Sequence, residues 1–170
     1  MTLRGLEESD IGALVIACRD PEIPRYTRVP SPYSPTQARD FIRGAEADRI
    51  SGAAMHAAIT EPPSPDLVGM ISVHAIDHSN LRAEIGYWLA AEVRGRGLAT
   101  RAVRLLSDLA FEALELERVT IYAEPENVPS RRVAEAAGFF PEGELRSWLN
   151  VGGRQRDAIV HCRLRNNGSR

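Results

Sequence analysis

The segment VRGRGLATRA, residues 93–102, most constrains the fold because it begins a helix with a basic glycine loop. Helices ordinarily begin with a Ser, Thr, Asp or Asn cap and carry acids in their first turn, since the first N–H groups and the helix dipole favour negative charge there. Residues 94–107 contain four arginines and no acid. The apolar residues here keep helical spacing, which predicts a helix whose first turn lacks a counter-charge: Leu98, Ala102, Leu105, Leu106, Leu109, Ala113 and Leu116.

Two glycines in this loop, Gly95 and Gly97, leave room for a ligand to approach the uncapped N–H groups, a combination typical of a phosphate or pyrophosphate site. A P-loop is excluded because the chain has no lysine. The dinucleotide fingerprint GxGxxG fails because Thr100 holds its last position and the loop follows a predicted meander. The pattern that remains is R-x-x-G-x-A, at Arg94, Gly97 and Ala99.

The length of 170 residues and the apolar content of 44% predict a single domain, which we expect over 1–165, with 166–170 as a disordered tail. A net charge of −2 gives no reason to expect nucleic acid or a membrane as partner. No segment approaches the roughly 18 apolar residues of a membrane helix, so we expect a cytoplasmic protein. Cys18 and Cys162 lack metal or disulfide spacing and are predicted to be buried free thiols.

Hydrophobic periodicity predicts a mixed α/β domain. Five prolines between Pro21 and Pro35 indicate a loop and not a helix, either functional or a plain connector. Strands at 54–60, 67–76 and 82–90 carry antiparallel meander signals. The remaining predicted elements are strands at 2–6, 118–124, 139–148 and 157–164 and helices at 9–18, 36–47 and 128–138.

Three segments in order resemble the GNAT acetyltransferases, and more narrowly their Rim-type branch, which includes ribosomal-protein N-terminal acetyltransferases. They are AEIGYWLAAEVRGRGLATRAV, ENVPSRRVAEAAGFFPEGELR and RQRDAIVHCRL. The resemblance implies an α+β, GNAT-like fold: a mixed, mostly antiparallel sheet of about seven strands, splayed between the strands at 82–90 and 118–124 and flanked by about four helices. It also implies acetyl-CoA as co-substrate, lying in the splayed cleft.

The resemblance places the CoA pyrophosphate at the basic loop and pantetheine against Asn127, while the pantetheine amides can pair with backbone near Trp88. Asn127, Ser130, Arg131 and Ala134 have the spacing of one helix face. The alternatives are that Asn127 caps its helix and that Arg131 is a solvated charge. The predicted cofactor-binding residues are Trp88, Leu89, Ala90, Arg94, Gly95, Arg96, Gly97, Leu98, Ala99, Thr100, Asn127, Ser130 and Arg131.

Two residues are candidates for catalysis. Strand alternation puts Glu84, Gly86 and Trp88 on one face, and the resemblance places a catalytic glutamate on this strand in some members, so Glu84 is the predicted base. The alternative is a carboxylate paired with Arg82. Many relatives have a tyrosine acid where this chain has Ala134.

Ser130 is therefore the candidate donor to the departing thiolate, with helix capping or solvent exposure as its alternative. Backbone N–H groups near Leu89 or Ala90 are expected to stabilise the oxyanion. The four histidines, His56, His74, His78 and His161, lack metal-ligand spacing and are predicted to be structural or solvated, so no metal is expected. Glu124 and Glu126 lie near the predicted cleft or on the surface.

The predicted function is transfer of an acetyl group from acetyl-CoA to a primary amine by direct attack in a ternary complex. The alternative is a non-catalytic acyl-CoA-binding or regulatory domain. The proline-rich loop and the segment 147–157 are expected to wall the acceptor side. Arg25 and Arg28 hint at an acidic acceptor, although peptide α-amines, amino acids, polyamines and antibiotic amines all remain open. The resemblance further implies a homodimer.

Overall fold

The computed structural model describes residues 1–165, and its elements follow the predicted order. The expected tail, 166–170, lies outside the described residues. The strands are β1 (Thr2–Arg4), β2 (Met55–Thr60), β3 (Leu67–Asp77), β4 (Arg82–Leu89), β5 (Arg118–Ala123), β6 (Phe140–Val151) and β7 (Arg154–Leu164). The α-helices are α1 (Ile11–Ala17), α2 (Glu22–Tyr26), α3 (Pro35–Ser51), α4 (Leu98–Ala113) and α5 (Val128–Ala136).

One seven-stranded sheet runs in the order β1-β2-β3-β4-β5-β7-β6. Strands β2, β3 and β4 form the predicted antiparallel meander, β1 extends it at the edge, and β5, β7 and β6 are also antiparallel. The only parallel contact in the described sheet joins β4 to β5, and it covers only Arg82–Glu84 against Arg118–Thr120. Beyond Glu84 the facing edges of the two strands are unpaired, which confirms the predicted splay and opens a cleft in the sheet.

Two apolar layers hold the sheet between helices. On one face α4 buries Leu98, Ala102 and Leu106 against the sheet. On the other face α1 and α3 pack over a second cluster that contains Leu14 and Trp88. The predicted apolar stripe of α4 was too wide, since Leu105 and Leu109 are each 40% exposed. Both cysteines are buried free thiols, as predicted.

The proline-rich segment contains α2, so the prediction that it lacks a helix was wrong. Pro21 precedes this helix and Pro24 lies in its first turn, where a missing N–H removes no intrahelical hydrogen bond. Ile23 is 2% exposed and anchors the short helix in the core. Prolines at these positions are therefore compatible with a helix.

Helix α3 is longer than predicted because its ends are set by cap residues. The Ser34 side chain accepts a hydrogen bond from the Gln37 N–H, and Gly52 ends the helix in the left-handed conformation at φ +74°. No helix within residues 1–165 combines the length and apolar character needed to cross a membrane.

Candidate active site

A cavity of about 1180 Å³ occupies the cleft where β4 and β5 separate. We call the part formed by Arg94–Thr100 and α5 the loop side. We call the part formed by α3 and the facing surface of β2, β3 and β4 the α3 side. The cavity is continuous between them and is also lined by Tyr26, Arg28, Tyr33, Leu149, Asn150 and Val151, which confirms that the proline-rich loop and the segment 147–157 wall the cleft.

The glycines of the loop side are required by backbone conformation. Gly95 has φ +75° and Gly97 has φ +74°, in the left-handed region where side chains are strained, while a Cβ at either would meet no atom within 4 Å. Gly97 is the N-cap of α4 and supplies no side-chain cap. The first intrahelical hydrogen bond runs from the Arg101 N–H to the Gly97 carbonyl, so the preceding N–H groups, those of Leu98–Thr100, lack helical acceptors.

The arginines of the loop do have counter-charges, so the expectation of an unpaired basic helix start was wrong. Arg94 lies 2.6 Å from Asp20 and also donates to the Leu89 carbonyl, and Arg96 lies 2.9 Å from Glu61. Both acids come from segments distant in sequence. What remains for a ligand is the row of uncapped N–H groups.

The face that α5 presents to the cavity differs from the predicted one. Ala134 is fully buried in the core, and Arg131 donates to the Pro125 carbonyl at 3.1 Å, so neither lines the cavity. Arg132, which was not singled out from the sequence, does line it. The helix is rotated because its apolar side, including Ala134, packs on the sheet.

Asn127 caps α5, since its Oδ1 accepts the Ser130 N–H at 3.2 Å. The Ser130 Oγ lies 2.9 Å from the Tyr87 hydroxyl, which also donates to the Ser130 carbonyl at 3.2 Å. Burial raises the pKa of Tyr87 to about 12, which keeps the phenol protonated. Tyr87 therefore joins β4 to α5 in the cavity. It was missed because strand alternation places it on the face opposite Glu84.

Glu84 faces His74, its neighbour across β3 and β4, with 3.7 Å between Oε2 and Nε2. Burial raises the pKa of Glu84, and nearby Arg28 acts in the opposite direction. Burial also lowers the pKa of His74, so its imidazole is neutral near pH 7. The alternative pairing of Glu84 with Arg82 was wrong, because Arg82 lies 3.3 Å from Asp77.

A second histidine and carboxylate pair lies one strand further along. His56 Nε2 is 3.3 Å from Asp48 Oδ2, and the ring packs edge-on against Phe41 with centroids 5.2 Å apart. Two of the four histidines, His56 and His74, thus line the cavity, whereas His161 is fully buried and His78 is exposed.

The structure also defines the surroundings of polar groups in three other residues. The Ala90 N–H donates to the Val68 carbonyl at 2.9 Å and is not available to an oxyanion. Glu124 is 8% exposed and lines the cavity, while the side chain of Glu126 is 75% exposed and lies on the surface near Arg25.

Comparisons with known proteins agree with this architecture. A family model described as an acetyltransferase (GNAT) domain matches residues 1–140. An uncharacterized N-acetyltransferase, p20 of Bacillus licheniformis, is 33% identical over 165 residues, which cover 97% of this chain and 93% of that protein. A solved structure of a probable acetyltransferase has a TM-score of 0.86 at 36% identity, covering 96% of this chain and 92% of its own. The structure of Mycobacterium smegmatis RimJ in complex with CoA-disulfide has a TM-score of 0.90 at 26% identity, covering 99% and 83%.

Proposed function

Because this chain belongs to the GNAT acetyltransferase family and is an acetyl-CoA-dependent N-acetyltransferase of the Rim-type branch, we propose that Glu84 is its base and Arg94–Thr100 its pyrophosphate loop. One observation carries the proposal: the cavity that begins at the uncapped start of α4 continues without interruption to the Glu84 carboxylate. A cofactor bound at one end and an amine at the other therefore meet inside one cleft.

The residues of the loop side fit a bound CoA. The N–H groups of Leu98, Ala99 and Thr100 would bind the pyrophosphate at the positive end of α4. Arg94 and Arg96 contribute positive potential while their ion pairs fix the loop. The other predicted CoA contacts stay predictions: Gly95 and Gly97 line the cavity, whereas Arg131 does not and would contact CoA only outside it.

Pantetheine would lie along the unpaired edge of β4, near Trp88 and Leu89, as an added strand does. Ala90 stays a predicted contact through atoms other than its N–H. The cap uses only the Oδ1 of Asn127, so its amide N–H groups remain able to donate to pantetheine. Capping and cofactor binding are therefore compatible.

Each catalytic residue has a defined role in the transfer. Glu84 takes a proton from the acceptor ammonium, whose ordinary pKa is about 8 at a peptide terminus and about 10.4 on a lysine side chain. The neutral amine forms the new C–N bond as the C–S bond of the thioester breaks, and the attacking nitrogen gives its surplus proton to the CoA thiolate that leaves. Ser130 donates a hydrogen bond to the departing thiolate. Its Oγ lies 2.9 Å from the Tyr87 hydroxyl, whose single O–H turns from the Ser130 carbonyl to this oxygen and orients it.

The test incubates the protein with acetyl-CoA and a panel of amines, and follows thiol release together with the mass of the product. We expect a gain of one acetyl group on a primary amine and an equal amount of free CoA. A protein that binds CoA in calorimetry but acetylates no amine is instead the acyl-CoA-binding domain of the alternative interpretation.

The resemblance also supports a cytoplasmic homodimer, which we include in the proposal. Light scattering over a wide concentration range tests the dimer, and a constant monomer mass contradicts it.

A further inference from the structure

Two histidine and carboxylate pairs lie side by side on the α3 side of the cavity. In the sheet register His74 is opposite Glu84, and His56 is opposite Ser72, so these side chains emerge from the same face of β2, β3 and β4. Each pair presents a carboxylate within 4 Å of a histidine Nε2, at 3.7 Å for Glu84 and 3.3 Å for Asp48. The cavity therefore contains two similar polar positions, of which the reaction uses one.

The spacing of the Glu84 pair suits an amine nitrogen. A distance of 3.7 Å is too long for a hydrogen bond, so one ammonium can donate to Glu84 Oε2 and His74 Nε2 together. The His74 ring lies over Gly86, where an added Cβ would be 3.3 Å from its Cε1, so the absent side chain leaves space for the ring.

The second pair offers a site for a cation. Asp48 is accompanied by His56 and by the ring of Phe41, and an aromatic ring next to a carboxylate favours an organic cation. A further acid of α3, Asp40, also lines this side.

The arginines do not reverse this charge pattern. Arg25 is held by Glu22 at 3.4 Å and by Glu126 at 3.8 Å, which leaves Arg28 as the permanent cation facing the two pairs. Three acids line the α3 side, Asp40, Asp48 and Glu84, and Arg28 is exposed. The lining therefore suits a cationic acceptor better than an acidic one.

Strand spacing sets the length of such an acceptor. Glu84 and His56, which faces Asp48 of α3, are two inter-strand distances apart across the sheet and two residues apart along it, about 12 Å. A nitrogen that hydrogen-bonds each carboxylate lies about 3 Å from it, so the two nitrogens are separated by about 6–9 Å, the span of four to six methylene groups.

We propose that the acceptor is a small aliphatic diamine, with its reacting nitrogen at Glu84 and His74 and its second ammonium at Asp48 beside His56 and Phe41. This inference rests on the proposed acetyl transfer and names its substrate class. The second nitrogen keeps its proton and stays charged throughout the reaction.

The test compares 1,4-diaminobutane, n-butylamine and 4-aminobutyrate, which share a four-carbon chain and carry a second cation, no second charge and an anion. A peptide with a free Ala α-amine is the fourth acceptor. We expect kcat/KM for the diamine to exceed that for n-butylamine by about 10- to 100-fold, as for a charge-assisted hydrogen bond, with 4-aminobutyrate the poorest. Asp48→Asn should lower the ratio of diamine to butylamine activity at least tenfold.

Glu46→Gln is the matched control, because Glu46 lies on the same helix but is exposed and paired with Arg49 outside the cavity. It should leave the ratio unchanged. The inference is overturned if the peptide or 4-aminobutyrate is acetylated as well as the diamine, or if Asp48→Asn keeps the parent ratio. In both cases acetyl transfer stands. If none of the four amines is acetylated while CoA still binds, this inference fails, whereas the proposed transfer fails only if no amine of the wider panel is acetylated.

Discussion

The loop side and the α3 side of the cavity are built by different kinds of interaction. The anion site of the loop side comes from one continuous segment, residues 94–100, in which two left-handed glycines and a row of uncapped N–H groups suffice to define it. The α3 side is assembled from a helix and three strands, and its polar groups meet only because strand register and helix packing bring them together. We therefore expect a substitution at one backbone position to abolish ligand binding at the loop. On the α3 side, we expect each substitution to remove one function and to leave the others.

The largest effect is expected from substitution of Glu84, the proposed base. Glu84→Gln removes the proton acceptor but keeps the shape of the side chain, so we expect kcat to fall about 10²- to 10⁴-fold at neutral pH. CoA affinity should stay unchanged. Activity should recover in part at higher pH, where the amine loses its proton to solvent.

The pH profile of the parent enzyme gives a second test of Glu84 as the base. Burial raises the pKa of this carboxyl, so the acid limb of kcat/KM should have its midpoint above the ordinary glutamate value, with activity rising as pH rises through it. A Glu84→Gln enzyme that folds, binds CoA and turns over at the parent rate across this range would assign the base to water or to another group.

The next effect tests whether one backbone position controls the loop side. Gly97→Glu forces a left-handed residue with a side chain and sets a negative charge beside the expected pyrophosphate, so CoA affinity should fall about 100-fold by calorimetry. Gly52→Glu is the matched control, because Gly52 has the same φ of +74° and equally open space around its Cβ position. Equal CoA affinity in both folded variants would contradict the loop assignment.

The same contrast explains how far the sequence could be interpreted. Local chemistry predicts the glycine loop, the α5 cap at Asn127 and the meander, because each depends on neighbours within a few residues or on a regular period. The splay of the sheet was implied by the family resemblance. The partner of Arg94 could not be found in this way, since Asp20 lies far from it in sequence and no period relates the two. Pairs such as His74 with Glu84 require the exact register of β3 and β4.

The face that α5 presents to the cavity was predicted wrongly for a related reason. A spacing of three and four residues identifies a common face but does not say which side of the helix packs on the sheet. Burial of Ala134 turns the predicted face towards the core and leaves Arg132 on the cavity. The position where many relatives have a tyrosine is occupied here by the buried Ala134. A different tyrosine, Tyr87, contacts Ser130 from β4.

A smaller effect is expected from the bridge between β4 and α5. Tyr87→Phe removes the hydroxyl that orients Ser130, and one hydrogen bond corresponds to a loss of about tenfold in kcat with CoA affinity retained. If the two hydroxyls act as a unit, Ser130→Ala added to Tyr87→Phe should cost little more than either change alone. Fully multiplicative losses in steady-state kinetics would show that they act separately.

The smallest expected effect tests whether Glu84 depends on its neighbour across the sheet or on its neighbour in the chain. Arg82 is two residues from Glu84 but its side chain is 59% exposed and pairs with Asp77, so Arg82→Gln removes an exposed ion pair worth at most about 1 kcal/mol of unfolding free energy. Neither kcat nor the midpoint of the acid limb should change, because the charges and groups that set the pKa of Glu84 lie on its cavity side. If the midpoint moved upward in Arg82→Gln but stayed in place in His74→Gln, the pKa of Glu84 would depend on Arg82, its neighbour in the chain, and not on His74, its neighbour across the sheet. The opposite result, a shift only in His74→Gln, is the one that the cross-strand geometry predicts, since His74 is the side chain that lies against the carboxylate.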